Sequence, residues 1–300
     1  MRDRNIHLSQ LRSAEVVVPQ RLAEFGDQRE GSLHMQFLSS FEDADQRRRW
    51  VDVHGAKYLL REYVGAAPTR GTYVEGNEVN DNELPQGFLV NQPPGSVTPP
   101  HFHETNQFQV FVGGSGRMGK KPAGPVTVQF AGGHTPYGPI VASDDGVQYF
   151  TLRQRWDPGA KYMPQMREKL ARGHQRQRLA APLAATLLDA IQTLAQPSLS
   201  ELIRPEPDGL AAYLLRLGPG QQVSGPAGDM AGGQYHVVLC GTLMHGGEEL
   251  ARLGCRFASP EEGAVSFEAG GEGLAALVLQ FPRWRPPPSD SRSTRRKIET

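Results

Sequence analysis

Between Gly87 and Trp156 no apolar run goes far before a Gly, Pro, Asn or Asp stops it: GFLVNQ, FQVFVGG, PVTVQF and VQYFTLRQRW follow one another with turns between. A helix needs a longer uninterrupted stretch, so these segments read as strands, and four at this density make a sandwich or barrel. The chain holds 34 Gly and 24 Pro, spread along its length and not gathered into one tract, which extends the β reading to the whole chain.

The same texture returns in LAAYLLRLG, QYHVVLCG and GLAALVLQFP. Between the two strand-rich halves Leu183, Leu187, Leu188, Ile191 and Leu194 recur at helical spacing, which predicts a helical linker. At about 100–200 residues per domain, 300 residues suggest two. The expected division is a first β domain over residues 1–160, a helical linker over 161–205, a second β domain over 206–284, and a disordered Pro, Ser and Arg-rich tail over 285–300. The stretch before Glu75, with its strand-like run from Lys57 to Val64, is expected to add edge strands to the first domain.

Lys plus Arg equals Asp plus Glu at 32 each, so the net charge argues for neither nucleic acid nor an anionic membrane as partner. No apolar stretch approaches the roughly 18 residues of a membrane span, and the N-terminus lacks the apolar core of a signal peptide; a cytoplasmic protein is the expectation. Cys240 and Cys255 lack the close spacing of a metal-binding pair and read as ordinary thiols.

The segment from Gly95 to Gly116 carries the chemistry. Its spacing is G-x5-H-x-H-x3-Q-x6-G, with Gly95, His101, His103, Gln107 and Gly114 at the fixed positions. Alternate residues of a strand face one side, so His101 and His103 can present both imidazoles to one point inside a barrel. Neutral imidazole suits Fe, Mn, Ni, Cu or Zn; the same pair can instead be polar lining of a small-molecule cavity.

This spacing resembles the first motif of the cupin superfamily, with Gln107 where the family usually has Glu. The second cupin motif is matched only at Pro136-Tyr137-Gly138, with Val141 where the family places a fourth ligand, so His134 is the remaining imidazole that a neighbouring strand could supply. The second half repeats the frame without the chemistry: Gly220 to Gly241 holds Pro226 and Gly228 at the two histidine offsets, and Gln234 stands where Gln107 does. The resemblance implies two cupin-type barrels, the second degenerate.

It also implies one divalent transition metal held by His101, His103 and Gln107, with His134 as a further candidate ligand that no motif assigns. The implied activity is a metal-dependent oxidoreductase, a dioxygenase-like enzyme on a small organic substrate, with Tyr137, Tyr149 and Gln109 orienting substrate or moving a proton. The alternative is a cupin cavity that binds a small molecule without turnover, as a sensor or binding protein. Cupins often pair, so a homodimer is a further expectation. Gly114 to Gly119 also spells G-x-G-x-x-G, but Lys120, Lys121 and Pro122 follow, which open a helix poorly.

Overall fold

Strict alternation of inward and outward side chains lays the chain out as two antiparallel sheets in a computed structural model, which describes residues 36–65, 70–171, 173, 175–180, 182–183, 190–228 and 231–283. The first sheet runs in the order Gln177–Ala180, Thr127–Ala131, Gln107–Met118, Ile140–Arg153, Gln86–Gln92, Ala56–Val64, Arg48–Val53. The second runs Gln36–Ser39, Cys255–Ala258, Gln234–His245, Ala264–Gln280, Ala211–Leu217, Ser198–Ile203.

Each sheet curls around its own interior. Val53, Leu60, Phe111, Ala131 and Ile140 meet inside the first. Leu215, Val238, Phe267 and Leu274 meet inside the second. The opposite faces pack against each other, with Phe108, Val110, Phe130 and Phe150 of the first sheet sharing one core with Tyr235, Val237, Leu277 and Phe281 of the second. In the strand Gln107–Met118 this sends Gln107, Gln109 and Phe111 into the barrel and Phe108, Val110 and Val112 to the joint core, as the two-residue period of a strand requires.

The two sheets correspond at two register positions. Gln107 pairs with Arg153 and Gly114 with Val147; at the same places Gln234 pairs with Gln280 and Gly241 with Leu274. Gly114 and Gly241 both have positive φ, 64° and 69°, and a Cβ on either would lie 2.2 or 2.0 Å from the carbonyl oxygen of Gly146 or Gly273. Only glycine fits such a bulge, which is why the same interval between Gln and Gly appears in both halves.

One expectation is corrected. The early strands Arg48–Val53 and Ala56–Val64 do extend the first sheet, but Gln36–Ser39 crosses to pair with Cys255–Ala258 in the second. Where a helical linker was expected, the described residues form the strand Gln177–Ala180, a short 3-10 turn at Ala190–Thr193 and the strand Ser198–Ile203; Leu183 is not helical, and residues 184–189 lie outside the described part. Leu183 is only partly buried against the joint core, and Ile191 is fully inside it. The tail from 284 onward also lies outside the described residues. Lys121–Ala123 is a strand, so the glycine run before it opens no helix. Arg176 pairs with Asp208 and Glu206, and Arg178 with Glu206.

A core shared between both sheets makes them unfold together. Phe281 is fully buried and packs edge-on to Phe108 at 4.9 Å. Phe281→Ala should lower stability by roughly 3–5 kcal/mol, in one transition seen alike by circular dichroism and tryptophan fluorescence. Two separated transitions in the wild-type protein would show that the sheets do not share their stability.

Candidate functional site

Three inward side chains cross the first sheet in one row. Gln86, Arg153 and Gln107 are register partners on neighbouring strands, and Arg153 reaches both amides: its Nη1 donates to Gln86 Oε1 and its Nε donates to Gln107 Oε1 at 3.2 Å. The guanidinium is fully buried and lies over the Phe88 ring, 5.5 Å from its centroid. The donor on one side of Gln107 fixes the amide's orientation, so its Nε2 donates to the Tyr137 hydroxyl oxygen.

The short strand His101–Phe102 and the residue after it, His103, supply the imidazoles. His101 lies opposite Tyr137 on one side and Tyr162 on the other, and cross-strand partners face the same way, so the three rings cluster at 4.5 and 5.4 Å. His101 Nδ1 donates to the Pro99 carbonyl at 2.8 Å, and His103 Nδ1 donates to Asp157 Oδ1 at 2.7 Å, which leaves each Nε2 with a lone pair. The imidazoles stand 5.3 Å apart, edge to face.

Asp157 is fully buried and saturated. Besides His103 it accepts from the backbone N–H groups of Gly159, Glu104 and Thr105, so it is a fixed support for His103 and has no acceptor left for a ligand. Burial opposes its ionisation, but His103, the Arg153 charge and these donors outweigh that and hold its carboxyl far below the usual range. Burial depresses both imidazoles, aided at His101 by His103 and at His103 by Arg153, to about 3 and about 4, so both are neutral at neutral pH.

His101, His103 and Gln107 therefore come together as expected, but Arg153 comes with them. Its Nη2 lies 3.1 Å from His103 Nε2 and 3.2 Å from Nδ1, so the guanidinium spans the flank of that imidazole. A metal bonded to Nε2 would lie about 4 Å from it, and a divalent ion is repelled by a fixed unit charge at that distance by roughly 8 kcal/mol at an effective dielectric constant of about 20. Gln107 spends its oxygen on the same guanidinium, and among the described residues no group of three His, Cys, Asp or Glu could hold a metal ion. In this arrangement the residues do not fit a divalent metal.

His134 is not brought to the pair. Its backbone N–H donates to the His103 carbonyl, but its ring packs on Phe102, whose side chain points to the opposite face, and its Nδ1 accepts from the Ala171 N–H. Lys161 and Glu104 form an ion pair at 2.9 Å, and Lys161 is the register partner of Phe102 on that opposite side.

Tyr137, Tyr149 and Gln109 do line one cavity of about 70 Å³ with His101, His103 and Arg153, walled by Val51, Phe88 and Val90. Gln109 Oε1 is buried there without a hydrogen-bond partner. Arg153 and Asp157 were missed in the sequence. The inward alternation Val147, Tyr149, Thr151, Arg153 was a signal for the first; Asp157 sits past the strand end, where no periodicity marks it.

No protein-family model matches the sequence, and no curated protein matches it. The fold is similar to that of a putative dioxygenase from Nostoc punctiforme, with 13% identity, 84% of each chain covered and a TM-score of 0.51. Weaker likenesses are to quercetin 2,3-dioxygenase from Acinetobacter baumannii, at 13% identity over 84% of this chain and 80% of that one with a TM-score of 0.48, and to oxalate decarboxylase from Bacillus subtilis, at 10% identity over 85% and 78% with 0.45. At this identity the first similarity shows a shared fold and no more.

The depressed imidazoles set a pH dependence. Below pH 6.5 the unfolded chain takes up protons that the folded His101 and His103 refuse, so stability falls as pH drops from 6.5 toward 4, by roughly 2 kcal/mol for each imidazole at pH 5. Denaturant midpoints from pH 7.5 to 4.5 should show this decline, and His101→Gln/His103→Gln should flatten it. Parallel profiles for wild type and variant would contradict the assignment.

Proposed function

We propose that the first barrel is a small-molecule binding cavity in which the Arg153 guanidinium stands in for a metal ion. One observation carries this: the same guanidinium contacts His103 and Gln107, two of the residues that the motif would assign to a metal. A cavity lined by apolar walls with a few convergent polar groups is the usual form of a small-ligand site. Arg153 and Tyr137, kept protonated by burial, are the donors that would orient the ligand, beside the neutral His101 and His103. The chain then acts as a binding protein or sensor for a small molecule.

The second reading is the metal-dependent, dioxygenase-like enzyme. It is favoured by the two adjacent imidazoles with Nε2 lone pairs, that of His103 facing Arg153, and needs Arg153 to leave the site. A bound metal of that kind would supply Lewis acidity or dioxygen chemistry.

Elemental analysis of untagged protein separates the two. The expected content after reconstitution with Fe, Mn, Ni, Cu or Zn is far below one ion per chain, whereas Arg153→Gln/Gln107→Glu, which removes the charge and restores a carboxylate, should take up metal at least about a hundredfold more tightly. Close to one ion per wild-type chain, lost in His101→Ala/His103→Ala, would favour the enzyme and sink the binding-cavity reading.

A further inference from the structure

The hydrogen bonds around Gln107 run in one direction, and the direction selects a ligand. Arg153 Nε–H donates to Gln107 Oε1, and Gln107 Nε2–H donates to Tyr137 Oη. Tyr137 Oη is thereby an acceptor from Gln107, and its own hydrogen is left to donate elsewhere. Arg153 uses Nη1 on Gln86 and lays Nη2 along His103, and each Nη carries two hydrogens, so the cation keeps donors beyond these contacts. Asp157, the buried carboxylate nearby, is saturated by His103 and backbone N–H groups and cannot serve as a counter-ion in the cavity.

The space is small. A cavity of about 70 Å³ has room for roughly five water-sized atoms. Val51, Val53, Leu60, Phe88 and Val90 give it an apolar wall, beside the polar Tyr58, Arg70, Thr98 and Thr151. A compact anion with a short hydrocarbon end meets both demands, and a fully hydrated inorganic anion meets only the first.

We infer that the cavity takes a short-chain carboxylate, with its oxygens received by Arg153 and by the Tyr137 hydroxyl and its hydrocarbon end against Phe88 and Val90. This rests on the metal-free reading above and adds the class of ligand. It also gives Gln107 a specific role. A glutamate there would satisfy Arg153 but could only accept, which would turn the Tyr137 hydrogen onto itself and cancel the positive charge that the ligand needs.

Propionate, propionamide and phosphate are the probes, titrated into the full-length protein after its metal content has been measured. Propionate should bind at least about tenfold more tightly than its neutral isostere propionamide, and more tightly than phosphate. Tyr137→Phe should weaken propionate about tenfold, and the nearly isosteric Gln107→Glu should abolish its binding while thermal unfolding shows the fold retained. Propionamide or phosphate binding as well as propionate, no binding by any probe, or unchanged propionate affinity in Gln107→Glu would each overturn the inference. Because metal content is measured on the same sample, a metal-loaded chain would mark failure of the metal-free reading, and a metal-free chain indifferent to ligand charge would mark failure of this inference alone.

Discussion

A fully buried guanidinium must find partners or leave the barrel, and the first site is organised by that demand on Arg153. Taking an ion out of water costs several kcal/mol even after relaxation, so each contact around it serves to offset that loss. Gln86 and Gln107 accept from it on either side, His103 lies along it, and Phe88 offers its ring face. Asp157 adds the opposite charge one imidazole away. From across the joint core, the Tyr235 hydroxyl donates to the Arg153 backbone carbonyl at 3.0 Å, so the second sheet holds the residue on which the first site depends.

The second barrel shows what the repeat does without that charge. Gln280 stands at the Arg153 position, and Gln234 donates to it at 2.8 Å, one neutral amide satisfying another. One row further in, His236 and Arg256 stand where the first barrel has Gln109 and Gln129. Arg256 is neutralised directly by Glu262, an ion pair formed beyond the strand end. Both barrels thus bury an arginine, but in the second the carboxylate is in contact with it, and in the first the carboxylate stands behind His103. This separation leaves Arg153 as a positive charge facing a cavity.

Much of the architecture was legible because strand period and turn glycines are local. Gly114 and Gly241 mark their bulges in the sequence, since no other residue avoids the opposing carbonyl. His101, His103 and Gln107 were legible by alternation. What failed was non-local. The backbone of His134 bonds to the His103 carbonyl, yet it sits in a turn with a φ of 56° and its ring packs on Phe102. Gln36–Ser39 crosses to the second sheet through a register that nothing in its four residues specifies. Arg153 could have been placed inward from Tyr149 by counting twos, but a lone arginine near a strand end ordinarily reaches solvent, and only the pairing with Gln86 and Gln107 shows why this one does not. Gln107 stands where the cupin motif usually has Glu; beside Arg153 it is the side chain that can accept from a cation and donate to a phenol at once.

The most direct test is a crystal structure of the wild-type protein grown with excess Mn or Zn, with anomalous scattering recorded at the metal edge. The guanidinium of Arg153 should lie against His103 and Gln107 with no anomalous peak between His101 and His103. A peak within bonding distance of both Nε2 atoms, with Arg153 turned away, would contradict the central claim that this barrel carries its cation in its own chain.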